Sequence, residues 1–277
     1  MAEAITAEKD GAKSVEPRRL SPGLAFLGGL IGIGYLYVGR IGYEIVFVVV
    51  PYVLLFVAAW ARVVAEPVGW YASIAVLGLV RLVPIIHPVV LAWSRPLAPA
   101  KPYNRWWWYL AWLAGFGAVQ LLLDPATTFG YQSYYIPSGA MQPTVLPGDR
   151  VVVDTWRYRD LAPAFGDIVI CDLGEVKGVK RVVGVPGDTI ELRGPLLIRN
   201  GAIVNEPYLS SERAPSPLDR PPLTLAADQF FVLGDNRGNS NDSRFVGPIG
   251  RDQIFGRVEF VAYSRSPGRF ALVLTSD

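Results

Sequence analysis

Hydrophobic positions are concentrated in the first half of the chain, after a polar start. Residues 1–20 mix acidic and basic side chains and are expected to form a flexible tail. Four apolar segments follow, at residues 24–38, 43–61, 69–93 and 106–123. Because a helix needs about 20 apolar residues to cross a bilayer, the glycine-rich first segment is short, and the second is the clearest candidate. The pattern predicts a membrane region at residues 21–123 with three to four spans.

Basic residues predict the orientation of these segments. Arg95, Lys101 and Arg105 lie between the third and fourth segments without an acidic residue, which places this linker in the cytoplasm by the positive-inside rule. The fourth segment then carries everything after residue 124 to the opposite side. Four full spans would leave Arg18 and Arg19 on that opposite side as well, against the same rule.

Two alternatives remove this contradiction, and the sequence leaves both open. Either the first segment is re-entrant, or the third is not a simple span because Arg81, Pro84 and Pro88 interrupt it. A charged residue inside a span is costly and commonly functional. A break between two half-segments accounts for Arg81 equally well.

The second half of the chain has short β-rich runs bounded by turn sequences. Strands are predicted at residues 150–154, 167–171, 180–184, 189–192, 229–233 and 257–261. Turn dipeptides such as Asn200-Gly201 separate them, and the proline-rich residues 214–222 are expected to form a surface loop. The pattern predicts a membrane-anchored α plus all-β protein, in which transmembrane helices precede a β-rich domain at residues 124–277, outside the membrane.

Composition limits the chemistry open to this β-rich half. A net charge of +2 is too small to indicate a nucleic-acid partner. Cys171 is the only cysteine and His87 the only histidine, so an intrachain disulfide and a Cys/His metal site are excluded, and no cofactor is expected. His87 lies in the apolar half, where a packed or interfacial side chain is expected. Hydrolytic chemistry in the second half must therefore work without a histidine base.

Three polar motifs in the second half carry candidate chemistry. The first, Ile136-Pro-Ser-Gly-Ala-Met-Gln-Pro-Thr-Val145, follows the last apolar segment closely. The second begins with Lys180 in a β-branched run, where burial would lower the pKa of the lysine and let it act as a general base. A solvent-exposed lysine on an edge strand is the alternative. The third motif, Gly234-Asp-Asn-Arg-Gly-Asn-Ser-Asn-Asp-Ser-Arg244, directly follows a predicted strand.

Taken together and in this order, the motifs resemble those of the bacterial type I signal peptidases. The matching stretches are Pro137-Ser-Gly-x-Met-x-Pro-Thr144, Gly148-Asp149, Gly166-Asp-Ile-Val169, Lys180-Arg-Val-Val-Gly-x-Pro-Gly-Asp188 and Gly234-Asp-Asn-Arg-x-Asn-Ser-x-Asp-Ser-Arg244. They extend over most of the polar half, and their joint occurrence is very specific. The membrane region adds only the expectation of anchoring spans.

The resemblance implies a serine endopeptidase with a serine–lysine dyad. In this family the serine directly before the motif methionine, here Met141, attacks the scissile carbonyl, and a lysine removes its proton. Lys180 matches that general base, and Ser240 matches the hydroxyl that orients it. Ser138 matches the serine that forms the oxyanion hole with the backbone N–H of residue 140.

The same resemblance implies supporting and substrate-binding residues. Asp242 and Arg244 match a supporting ion pair, and Asp235 falls on a matched position of less clear role. The extended backbone of Tyr134, Tyr135, Ile136 and Pro137 would bind the substrate as an added strand. Shallow apolar pockets would then select small side chains before the cleaved bond.

The chain departs from the family at its centre, because the residue directly before Met141 is Ala140. A methyl group cannot attack a carbonyl. Three explanations compete: an engineered inactivation, a natural loss of the nucleophile, or attack by Ser138 instead. The third is disfavoured because misplacement by about 1 Å already lowers catalysis heavily, and a hydroxyl two residues away is displaced by more.

The resemblance thus implies a multi-pass endopeptidase of the bacterial cytoplasmic membrane that removes signal peptides from exported preproteins. Its β-rich domain would face the periplasm or the exterior, and its partners would be secretory preproteins and the lipid bilayer. Ala140 predicts that this chain is inactive or strongly impaired. The alternative is a non-catalytic paralogue that binds signal peptides or regulates secretion. A purely structural membrane protein would leave the three motifs unexplained.

Overall fold

A computed structural model describes residues 17–99, 101–174, 177–209 and 219–274. The chain divides into two compact units. The membrane unit contains the described residues up to 57 together with 72–124, and the β unit contains residues 58–71 and the described residues from 125 onward. Within these ranges, two helices are long and apolar enough to cross a membrane. The predicted class, apolar helices followed by a β-rich domain, is confirmed.

The membrane unit consists of helices and one pair of short strands. The helices are α1 (Pro22–Leu30), α2 (Gly34–Tyr37), α3 (Ile41–Trp60), α4 (Pro67–Ser94) and α5 (Trp106–Leu122), and the strands are β1 (Pro17–Arg19) and β2 (Leu97–Pro99). The two helices long enough to span are α3 and α4, which correspond to the second and third predicted segments. The end of α3 and the start of α4 belong to the β unit.

The first predicted span does not form a single helix. It divides into α1, with nine residues, and α2, with four, and at about 1.5 Å per residue neither crosses a bilayer. The chain turns between them at Gly32, whose φ of 78° suits glycine. A Cβ added to Gly29 would lie 2.6 Å from the carbonyl oxygen of Pro84. The glycines therefore allow this short helical segment to lie directly against the backbone of α4.

Of the two alternatives for the membrane segments, a break in the third segment is absent, because α4 is continuous from Pro67 to Ser94. Pro84 and Pro88 lie inside it. Membrane helices tolerate proline when neighbouring groups satisfy the backbone carbonyls that it leaves without a partner. His87, on the same helix, is 2.8 Å from the hydroxyl of Tyr35 through its Nδ1 atom. This contact agrees with the expected packed histidine. The guanidinium of Arg81 lies 6.0 Å from the ring centroid of Phe116.

The last residues of the predicted flexible tail, residues 1–20, are ordered. Arg18 and Arg19 lie in β1, which pairs antiparallel with β2. The Arg18 guanidinium donates to the backbone oxygen of Tyr37 at 2.5 Å and lies 4.5 Å from the centroid of its ring. Backbone pairing and this stacking fix a segment whose composition predicts flexibility. The rest of the predicted tail, residues 1–16, lies outside the described residues.

The β unit contains twelve described strands in two antiparallel sheets. The strands are β3 (Tyr131–Tyr135), β4 (Arg150–Asp154), β5 (Ile168–Asp172), β6 (Lys177–Gly184), β7 (Thr189–Arg193), β8 (Leu196–Arg199), β9 (Ala202–Ile203), β10 (Arg220–Thr224), β11 (Gln229–Leu233), β12 (Ile249–Gly250), β13 (Ile254–Tyr263) and β14 (Leu272–Val273). The larger sheet has the order β12-β11-β6-β5-β13-β4-β3, with β14 on β13, and the smaller sheet has the order β10-β7-β8-β9. Short helices α6 (Pro125–Phe129), α7 (Arg157–Asp160) and α8 (Ser243–Val246) complete it.

One predicted loop is a strand instead. Residues 220–222 of the proline-rich stretch belong to β10, which lies at the edge of the smaller sheet and pairs only with β7 among the described strands. An edge strand tolerates Pro221 and Pro222 because one side of it makes no ladder hydrogen bonds. Residues 210–218 lie outside the described part of the chain.

The connection between α3 and α4, residues 58–71, packs within the β unit. The Trp70 ring meets that of Phe260 edge-on at 6.2 Å between centroids, and the Tyr71 ring stacks on that of Phe270 at 4.9 Å. Phe260 is completely buried on β13. Trp70 therefore extends the apolar interior around Phe260, whereas Tyr71 covers part of Phe270, which remains 61% exposed.

Candidate active site

The three polar motifs meet around one groove in the β unit. The groove has a volume of about 590 Å³. Its lining includes most of the residues that the sequence singles out: Tyr134, Tyr135, Ile136, Pro137, Ser138, Ala140, Met141 and Lys180. Apolar side chains from β5 and β6 and two asparagines of the third motif complete the wall. The groove therefore brings residue 140, the candidate oxyanion serine and the candidate base to one surface.

The loop that carries residue 140 is closed at both ends by backbone hydrogen bonds. Ile136 donates to the carbonyl of Asp149 at 2.9 Å, and Gly148 donates to the carbonyl of Ile136 at 2.8 Å. Met141 is 2% exposed and packs in the core below the loop. A buried anchor directly after residue 140 fixes where its side chain can lie. Position 140 is therefore held by packing on one side and by hydrogen bonds on the other.

Lys180 is a buried lysine on β6, only 4% exposed. Its Nζ donates to the backbone oxygen of Val179 at 3.1 Å. Burial is the main cause that lowers the pKa of Lys180 from its ordinary value of 10.5, because an ammonium loses hydration in the interior. The exposed edge-strand alternative is therefore wrong. A lysine with a lowered pKa is neutral, and so able to accept a proton, at lower pH than a solvated one.

Burial of Lys180 gives a pH-dependent stability prediction. Below its lowered folded-state pKa, the native protein carries a buried ammonium, whereas the unfolded chain hydrates it. Between this lowered pKa and the ordinary value of 10.5, the unfolded state binds more protons than the folded state. The penalty therefore shrinks as pH rises through that interval. Lys180→Met is expected to raise the melting temperature of the detergent-solubilised chain at neutral pH. The gain should fade towards pH 10.5, and a gain independent of pH would contradict the cause.

Ser240 lies beside the groove but does not bond to the lysine. Its Oγ is buried and has no hydrogen-bond partner among the described residues. A Cβ added to Gly234 would lie 2.2 Å from this Oγ and 2.5 Å from the carbonyl oxygen of Ala140. Only glycine at position 234 therefore lets the third motif approach residue 140 this closely. The predicted lysine–Ser240 hydrogen bond is not formed here.

Asp235 links the three motifs, a role that the sequence did not reveal. Its carboxylate accepts from Arg181 Nε at 2.9 Å and from Nη2 at 2.8 Å, and from the hydroxyl of Thr144 at 2.5 Å. The side chains of Arg181 and Asp235 are both buried. Bidentate buried pairs of this kind are geometrically specific, so Asp235 fixes the first, second and third motifs relative to one another.

Asn236 is a further residue that the sequence analysis overlooked. Its backbone N–H donates to the carbonyl of Ala140 at 3.0 Å, and its side-chain amide donates to the carbonyl of Gly139 at 3.0 Å. Both bonds hold the loop that carries residue 140. The only signal in the sequence was its position next to Asp235 within the third motif.

Asp242 and Arg244 form a fully buried ion pair behind the site. Arg244 donates through Nε to Oδ1 at 2.8 Å and through Nη2 to Oδ2 at 2.8 Å, and both side chains are 0% exposed. Asp242 also accepts from the backbone N–H of Gly234 at 3.0 Å. The pair therefore shapes the turn that presents Gly234 and Ser240 to residue 140.

Cys171 and Ser138 are the described side chains that could stand in for the hydroxyl that Ala140 lacks, and neither is well suited to do so. The thiol of Cys171 lies on the neighbouring strand β5 and interacts electrostatically with Lys180. Burial raises the pKa of Cys171 to about 12, so this thiol stays protonated at neutral pH and is a weak nucleophile. Ser138 is exposed on the loop before residue 140.

These features define a membrane-anchored α plus β protein whose β unit carries a groove lined by a buried lysine. The family model described as "Signal peptidase, peptidase S26" matches residues 109–263. Signal peptidase I of Leptolyngbya laminosa is 37% identical over 140 residues, covering 47% of this chain and 68% of the relative. Signal peptidase I S of Bacillus subtilis is 34% identical over 164 residues, covering 56% and 89%.

The chain therefore belongs to the signal peptidase family, peptidase S26. A solved structure of a signal peptidase I from Enterococcus faecalis aligns with 30% sequence identity and a TM-score of 0.32, covering 35% of this chain and 97% of that one. At this score the structural likeness adds nothing to the assignment, which rests on the family model and the sequence relatives.

Proposed function

We propose that the groove of the β unit is a signal-peptide cleavage site built for a serine–lysine dyad, from which only the attacking hydroxyl is missing at Ala140. The observation that carries this proposal is the meeting of Ser138, residue 140 and the buried Lys180 on one groove. In this assignment Lys180 is the general base. Ser138 and the backbone N–H of residue 140 form the oxyanion hole.

Two strand edges support the binding of an extended substrate. β3 ends the larger sheet, so its outer edge has no strand partner among the described strands. The first half of β6 pairs with β5, while β11 pairs only with the second half, from Arg181 onward. Residues of both strands line the groove. A peptide segment can add to such edges by main-chain hydrogen bonds, with its side chains entering the apolar pockets.

Chain connectivity supports a definite topology. The α3–α4 connection and the described residues from 125 onward belong to the β unit, which supports a topology with these helix ends on one side of the bilayer. β1 pairs with β2, which supports placing the start of the described chain on the other side, with the basic linker of Arg95, Lys101 and Arg105. In this topology α3, α4 and α5 cross in alternation, and the α1–α2 segment is re-entrant. With 17 residues, α5 is shorter than α3 and α4 and lies at the lower limit of length for a span. All basic ends face the cytoplasm, and the β unit faces the exterior.

Restoring the hydroxyl tests this proposal. Ala140→Ser is expected to turn a chain with no detectable cleavage into one that cuts a preprotein, because loss of a serine nucleophile lowers turnover by a factor on the order of 10⁶ in other serine peptidases. Both forms, purified in detergent, are incubated with a preprotein, and cleavage after a small-x-small sequence is followed by electrophoresis and mass spectrometry. The matched control is Ser138→Ala in the Ala140 chain, which should change nothing.

Other outcomes would revise the assignment in different ways. Cleavage by the Ala140 form would show that position 140 is not the nucleophile position, and its loss in Ser138→Ala would move the nucleophile to Ser138. Absence of cleavage in both forms, with signal-peptide binding retained in both, would favour the non-catalytic paralogue. The intact groove around Ala140 supports that second function, since binding needs the strand edges and pockets but no hydroxyl.

A further inference from the structure

A second cavity, distant in sequence from the candidate active site, lies in the membrane unit. It has a volume of about 450 Å³ and is lined by residues that flank the start of α3, the end of α4 and β2. We call it the basic cavity, after the three cations in its lining, Arg40, Arg95 and Lys101. The lining contains no acidic residue. Its size falls in the usual range for sites of small ligands, about 300–1,000 Å³.

The cations of the basic cavity have no counter-charge within the described membrane unit. None of the three forms an ion pair there. The acids of this part of the chain are Glu44 and Asp124. Glu44 is buried and accepts the backbone N–H groups of Tyr35 and Leu36, and Asp124 follows α5 at its far end. Among the described residues, the cavity therefore carries positive charge without a nearby counter-charge.

Helix geometry adds to this charge. Arg40 directly precedes α3, which begins at Ile41 and is 20 residues long. The start of a helix carries partial positive charge, so a cation there is unfavourable unless an anion lies close by. Arg40 nevertheless lines the cavity beside Arg95 and Lys101. An anion bound between the three would remove both the mutual repulsion and the unfavourable helix interaction.

Tryptophans indicate that the basic cavity lies at the depth of lipid headgroups. Trp93, near the end of α4, is 74% exposed, and Trp106, which begins α5, is 72% exposed. Exposed tryptophans beside membrane helices concentrate at the level of the headgroups. The lining also includes apolar residues, among them Leu91 and Leu97. A cavity that combines cations with apolar walls at this depth matches the phosphate and the glycerol region of one lipid.

We propose that the basic cavity binds the headgroup phosphate of an anionic phospholipid. Arginine and lysine are the side chains that bind phosphate most strongly, and basic pockets between membrane helices on the cytoplasmic side recognise such headgroups. A zwitterionic headgroup fits less well because the lining offers no carboxylate for its ammonium group. The lipid site is independent of Ala140 and of any cleavage activity.

Native mass spectrometry of the full chain in detergent tests the site. The protein is titrated with phosphatidylglycerol, with phosphatidylcholine of the same acyl chains, and with inorganic phosphate. We expect phosphatidylglycerol to be retained and the other two not. Each charge-assisted hydrogen bond to a bound phosphate contributes about a tenfold gain in affinity, so R40Q/R95Q is expected to weaken phosphatidylglycerol binding about 100-fold.

A matched double variant separates this site from general surface charge. R19Q/R105Q removes two arginines that lie outside the cavity lining and should weaken binding by less than about twofold. Leu97→Glu, at a 63% exposed position that lines the cavity, keeps all three cations and should also abolish retention. Equal losses in both double variants, equal retention of phosphatidylcholine, or equally tight binding of inorganic phosphate would overturn the proposal. Melting temperatures in detergent check that each variant is folded. If R40Q/R95Q does not fold, the loss of phosphatidylglycerol retention in Leu97→Glu tests the proposal instead.

Discussion

Lys180→Met in the Ala140→Ser chain is expected to abolish preprotein cleavage. The restored hydroxyl would need a base, and His87, the one histidine in the sequence, lies in a membrane helix. General bases contribute about 10²–10⁴-fold to turnover, so kcat/KM should fall by at least about 100-fold. Methionine keeps the length and the burial of the lysine side chain but cannot accept a proton. The measurement is initial-rate cleavage of a preprotein in detergent.

Lys177 provides a matched control for this variant. It lines the same groove and lies on the same strand, but it is exposed, with its Nζ 4.1 Å from the ring centroid of Phe255. Lys177→Met in the Ala140→Ser chain should retain most of the activity. Cleavage that survives Lys180→Met, or that is lost equally in Lys177→Met, would refute the dyad assignment.

The pH profile of the Ala140→Ser chain should identify the same base. Lys180 accepts a proton only in its neutral form, so kcat/KM is expected to rise with pH until pH passes its pKa. Burial holds that pKa below the ordinary 10.5. The alkaline limb of the profile should therefore level off before pH 10.5. A rate that still rises in proportion to hydroxide at that pH would point to specific base catalysis instead.

Asp242→Ala is expected to cause the second large effect, a loss of stability. The substitution leaves the guanidinium of Arg244 buried at 0% exposure without its carboxylate, and breaking a buried pair in this way destabilises proteins by about 3–5 kcal/mol. The backbone N–H of Gly234 loses an acceptor as well. A melting temperature well below that of the parent chain, measured in detergent, is the expected result.

Glu191→Ala is the control for this stability prediction. Glu191 pairs with Arg193, whose side chain is 69% exposed. Exposed ion pairs contribute about 0–1 kcal/mol, so this variant should melt close to the parent chain. Comparable losses in the two variants would show that the turn of the third motif tolerates an unpaired Arg244, contrary to the role inferred for the pair.

The sequence predicted the family and the membership of the groove because both depend on short motifs. Ser138, Lys180 and the third motif lie far apart in the chain, and their joint resemblance to the motifs of one family made the expectation of one site possible. The roles of Asp235 and Asn236 did not follow from the motifs. Their contacts with Arg181, Thr144 and residues 139–140 depend on the packing of three separate loops.

The membrane region was less predictable for a physical reason. Hydropathy reports apolar length, but whether a segment crosses depends on what it packs against. Gly29 and Gly34 allow the first segment to fold back against α4, and neither hydropathy nor charge reveals that approach. Conversely, Pro84 and Pro88 suggested a break that α4 does not have. The strand β1 was missed because three residues carry too little pattern.

Residues 58–71 have a practical consequence for work with soluble fragments. A fragment that starts after α5 would retain most of the β unit but would lack the segment that contributes Trp70 against Phe260 and Tyr71 against Phe270. The exposed aromatic surface would favour self-association. Fusing residues 58–71 to such a fragment through a flexible glycine–serine tether should reduce its aggregation, whereas in a fusion carrying Trp70→Ser and Tyr71→Ser the benefit should disappear. For this chain, the excisable domain is discontinuous in sequence.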